Sequence, residues 1–111
     1  MHFCLTGQYT PQAVKSMMDN PSTNRSEVAK KIIEAAGGKM IGFLAMPAGG
    51  PGVLVIFDVP EPNTAAAISG IVVASNTLHN VQLRRLLTQN EVVQVRQKGA
   101  QLRSAYSPPG K

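Results

Sequence analysis

The chain is 111 residues long, the size of one domain, and at 43% hydrophobic it is neither disordered nor fibrous. With no tryptophan and aromatics at 5%, its core has to be aliphatic and rich in Ala and Met. The net charge of +5 favours anionic partners, but the basic residues, Arg25, Lys39, Arg84 and Arg103 among them, are scattered along the chain, which reads as a solvated surface and not as the clustered stripe of a nucleic-acid binder.

Cys4 is the only cysteine, so no intramolecular disulfide can form. The opening segment MHFCLTGQYT has no basic stretch, apolar stretch or cleavage site of a secretory leader. The longest apolar runs fall far short of the ~20 residues a membrane span needs. The expectation is a cytoplasmic protein that does not engage a membrane.

Residues 2–9 alternate as a strand, with Phe3, Leu5 and Gly7 on one face and His2, Cys4, Thr6 and Gln8 on the other. Thr10-Pro11 is an N-cap followed by proline at the first helical position. Asn20-Pro21 interrupts that helix, which resumes near 22–26 and runs through Ile32, Ile33 and Ala36 to a stop at Gly37-Gly38. Strands at 39–46 and 53–59 flank the turn-rich loop Pro47-Ala48-Gly49-Gly50-Pro51-Gly52. The second of them, Val53 to Val59, is apolar on both faces and so asks for cover on both.

A helix over about 63–76 is apolar nearly all round, which implies burial on more than one side. A last strand at 80–87 sets Val81, Leu83 and Arg85 against Gln82, Arg84 and Leu86. Thr88 and Glu91 have the spacing of a capping box, opening a C-terminal helix with Val92, Val95, Leu102 and Tyr106 on one stripe. Residues 1–106 therefore read as one domain, and 107–111 as a disordered tail.

The order βαββαβ plus a terminal helix predicts an α+β, ferredoxin-like fold with two helices on one face of a four-stranded sheet. The other face is left open. A second copy, packed sheet to sheet, is the simplest cover for it, so a homo-oligomer (a dimer or larger) is expected.

Several landmarks resemble the GYD-domain family: Tyr9-Thr10 leading into a helix, Asn20-Pro21 with Arg25 after the break, and Glu34 to Lys39. Val59-Pro60-Glu61 before an Ala-rich helix, Asn80-Val81, and Leu86-Leu87-Thr88 with Glu91 continue the match. The resemblance implies a ferredoxin-like fold of the kind that pairs into dimeric α+β barrels, and it brings no established biochemical role. Where Gly-Tyr-Asp would fall, this chain has Gly49-Gly50-Pro51-Gly52, so the naming motif is not retained and no site residue is carried over.

The best candidate site comes from strand geometry. In this fold the first and last strands are antiparallel neighbours, and the simplest register puts Cys4 near Arg84 and Thr6 near Gln82. Arg84 would anchor a small anionic ligand or carboxylate, with Thr6 and Gln82 as orienting donors. Alternatively, these side chains hydrogen-bond one another across a subunit interface, which asks for less.

Cys4 beside an arginine could be an activated thiol, though free cysteine is more often a small buried hydrophobe and no base is marked for it. His79, at the start of the last strand, is either an acid–base group at a barrel mouth or a plain structural residue. Two histidines at opposite strand ends and one cysteine do not make a metal-ligand set, so neither metal nor cofactor is expected. The Gly49–Gly52 loop joins strand to strand, unlike a phosphate cradle, which leads into a helix. Functionally the chain reads as an oligomeric small-ligand-binding or accessory protein. The alternative is a cofactor-independent enzyme, an isomerase or small monooxygenase, working in the cavity between paired sheets; it would gain from His79 or Tyr9 standing beside Arg84.

Overall fold

The computed structural model describes residues 1–47 and 49–110. Strand β1 (His2–Tyr9) leads into helices α1 (Pro11–Asp19) and α2 (Arg25–Ala35), followed by β2 (Lys39–Met46) and β3 (Gly52–Asp58). Helix α3 (Pro62–Ala74), β4 (Leu78–Leu86), α4 (Gln89–Leu102) and a short 3-10 turn complete the order. The four strands form one antiparallel sheet in the order β2-β3-β1-β4, as a ferredoxin-like fold requires.

The helix boundaries have local causes. Thr10 accepts a hydrogen bond from the Ala13 N–H at 3.1 Å and donates to the Asn76 carbonyl at 2.8 Å, so one side chain caps α1 and ties it to the end of α3. Helix α1 stops at Asn20, ahead of Pro21, and α2 restarts under an Asn24 cap that accepts from the Ser26 and Glu27 N–H groups. At the end of α2, Gly37 has φ +80° and its N–H bonds to the Glu34 carbonyl, while the Gly38 N–H reaches Ile33. This is a Schellman stop. Any Cβ on Gly38 would collide with the Asp58 carbonyl, so both glycines are required, for different reasons.

The core lies between the sheet and the helices. Phe3 and Leu5 from β1, Val53, Val55 and Phe57 from β3, Ile33 from α2, and Ala65 and Ile68 from α3 are buried there. Phe3 and Phe57 stack at 5.9 Å between centroids, inside that core. Burial of side chains this size is worth roughly 1.5–3 kcal/mol each. Helix α2 lies over β2 and α3 over β4, so the two helices stand apart above the middle strands.

The opposite sheet face carries no helix. Leu54 and Ile56, which alternate with the buried Val53, Val55 and Phe57, remain partly exposed there, and Leu44 beside them is 62% exposed. The doubly apolar strand thus has one covered face and one uncovered face.

Helix α4 carries the expected box: Glu91 N–H donates to the Thr88 hydroxyl at 3.3 Å, and Thr88 N–H donates to the Glu91 carboxylate at 3.0 Å. An ion pair from Arg85 to Glu91 at 2.6 Å fixes its start against β4. No α4 residue is buried, and the helix projects from the body. The radius of gyration of 17.8 Å records this, against about 13 Å for a compact domain of this length. Residues 107–110 form neither helix nor strand. Ala48 of the expected loop and Lys111 of the expected tail lie outside the described residues.

Candidate functional site

The register assumed for the first and last strands is the one observed from His2 to Thr6: Cys4 pairs with Arg84 and Thr6 with Gln82. Because Phe3 and Leu5 are turned into the core, Cys4 and Thr6 face the open side, half-buried, beside the exposed Gln82 and Arg84. The Arg84 guanidinium donates to the Gln82 side-chain oxygen at 2.5 Å, which joins the two side chains on this face. The open face is therefore divided: aliphatic over β2 and β3, polar and cationic over β1 and β4.

His79 stands further along the same open face, reached through a shift in register. The β1–β4 ladder shifts between Thr6 and Gln8, where Asn80 takes a left-handed φ of 52°, and His79 becomes the partner of Gln8 in place of Asn80. Asn80 still reaches Gln8, donating to its side-chain oxygen at 2.8 Å, and the Gln8 amide donates to the Gly49 carbonyl at 2.8 Å. This chain of bonds ties the β2–β3 loop down to β1 and β4, which gives the glycine-rich loop a structural role. His2 pairs with Leu86 at the far end of the same two strands. Among the described residues, no group of three or more His, Cys, Asp or Glu could hold a metal ion. Likewise, no helix among them is long and apolar enough to cross a membrane.

Asp58, on the open side at the end of β3, bonds the N-terminal ammonium at 2.8 Å. That bond, with His2 and Lys39 nearby, holds its carboxyl below the usual carboxylate range. Along α2, Lys30 and Glu34, one helical turn apart, form an ion pair at 3.9 Å.

The covered side holds what the strand pattern did not disclose. Between α2 and α3 lies a cavity of about 370 Å³ whose floor is Leu5, Val55 and Phe57. At one end it meets a second, polar cavity of about 220 Å³ under α1. Tyr9, Arg25, Ser75 and Thr77 line both. Burial pushes the Tyr9 phenol up from its ordinary value, with the Arg25 charge pulling the other way, so the phenol stays a hydrogen-bond donor at neutral pH. Tyr9 thus stands beside Arg25 and on the opposite side of the sheet from Arg84. The signal for this site lay in residues read as landmarks only: the tyrosine ending β1 and the arginine opening α2.

Residues 3–95, from β1 into α4, match the family model of the GYD domain. No curated protein matches the chain.

Proposed function

The chain belongs to the GYD-domain family, and we propose that it is a self-associating accessory protein that binds a small anionic ligand between two facing sheets. One observation carries the reading: the uncovered sheet face, with Ile41, Leu44, Leu54 and Ile56 on one half and Cys4, Thr6, Gln82 and Arg84 on the other. A contiguous exposed aliphatic patch of that kind favours association. A twofold axis would let one such patch cover another, with the cationic half enclosed beside it. Arg84 is the anchor in this reading, and Thr6 and Gln82 orient the ligand through hydrogen bonds.

The unburied stripe on α4, with Val95 56% and Leu102 68% exposed, supports association in the same way: a projecting helix with an apolar stripe is stable when a neighbour receives it. A lone cysteine, with no disulfide to protect, fits a cytoplasmic setting.

Native mass spectrometry of the untagged protein, gently purified from its own host, tests both halves of the proposal. The expected result is a multimer carrying a reproducible added mass. Leu44→Glu on the open face is expected to give monomer, and Arg84→Ala a multimer without the added mass. A wild-type monomer at micromolar concentration would defeat the proposal.

A further inference from the structure

We infer that the cleft between α2 and α3 is a second binding site, built for a small amphipathic carboxylate whose apolar tail lies over the sheet and whose head meets Arg25. This site is on the helical side, behind the sheet, and owes nothing to self-association through the open face.

Four observations converge on it. The first is the cleft itself. Its 370 Å³ falls in the range of small-molecule sites, and its floor and walls are aliphatic and aromatic side chains of the core. Splayed helices leave this space open where direct helix packing would have closed it.

The second is its rim. Val28 on α2 and Ile71 on α3 are 48% and 54% exposed, facing one another across the opening. Apolar rims to an apolar cavity are stabilised by an occupant that removes them from water.

The third is charge. Among the described residues, Arg25 is the only charged one lining either cavity. It takes part in none of the ion pairs formed by the described residues. A cation at the junction of an apolar and a polar cavity selects an anionic head on an apolar body.

The fourth is the set of neutral groups around it. The Tyr9 phenol is a donor beside Arg25, and the Ser75 and Thr77 hydroxyls, 2.8 Å apart, stand on the other wall. A guanidinium fork with one phenol matches a planar carboxylate; a phosphate dianion would call for more positive charge than one arginine provides.

Titration calorimetry of the full chain with hexanoate, octanoate, decanoate and decanol, all below their aggregation limits, is the test. Affinity is expected to rise about fourfold per added methylene until the cleft is filled. Decanoate should bind at least about tenfold more tightly than decanol, the contribution of a charge-assisted head contact. Arg25→Gln, at the first residue of α2 and outside the buried core, should erase that difference while leaving the Tm unchanged. Tyr9→Phe should weaken decanoate several-fold, and Ile71→Glu on the rim should weaken every carboxylate. Flat isotherms for all four probes would overturn the proposal. So would equal affinity for decanoate and decanol, or wild-type decanoate binding by Arg25→Gln.

Discussion

The two faces of the sheet are made from the same strands and have opposite fates. On β3, Val53, Val55 and Phe57 are covered by helices, while Leu54 and Ile56, one residue away in each case, are not. Strand periodicity makes the faces separable, so each can carry its own function without disturbing the other. The covered face keeps the fold and shelters a cleft; the open face is free to meet another molecule.

Substitution on adjacent residues breaks the comparison most sharply. Phe57→Ala removes a side chain only 1% exposed and should cost about 3–5 kcal/mol in chemical denaturation, at every protein concentration. Ile56→Ala, on the other face, should cost well under that in dilute protein, and with the proposed self-association the loss should grow as concentration rises. A concentration-independent loss equal to that of Phe57→Ala would mean the two faces are not energetically distinct.

A smaller effect tests how the helical side is held together at the end near Arg25. Thr10, the single buried polar residue of the described chain, both caps α1 and bonds to Asn76 after α3. Thr10→Ala should therefore lower stability by about 1–2 kcal/mol, and Thr10→Ser should restore most of it.

Helix α4 supplies the mildest cases. Thr88→Ala removes one half of the capping box and should lower helical circular dichroism with little change in the unfolding midpoint of dilute protein, since α4 buries nothing on the body. Acid should act on the same helix. The Thr88 N–H bonded to Glu91, with Arg85 beside it, depresses the folded-state carboxyl below its ordinary value. A depressed carboxyl contributes stability above the unfolded pKa and loses it as pH falls through the folded value, so α4 should fray at acid pH, below the ordinary glutamate range. Glu91→Gln should flatten that acid response.

Much of this architecture is written in local chemistry. The Asn20-Pro21 break, the Gly37-Gly38 stop and the Thr88–Glu91 box set helix ends through bonds made within a few residues, so they can be read before any tertiary contact is known. The pairing of Cys4 with Arg84 was legible too, because the fold fixes which strands are neighbours and alternation fixes the face. The bulge at Asn80 was not, because a left-handed residue inside a strand leaves the apolar pattern around it almost unchanged. It turned His79 from the core side, where simple alternation with Val81 and Leu83 would put it, to the open face beside Gln8.

The amino-acid sequence determined the element order, the sheet face of the strand residues in regular register and the apolar character of the open side. Only the tertiary structure decided where the helices stand, and hence that a cleft remains between α2 and α3. It also decided that Tyr9 and Arg25, from elements separated by a helix, meet at its mouth. The physical reason is range: caps, turns and alternation act over a few residues, while a cavity is the gap left by side chains brought together from across the chain.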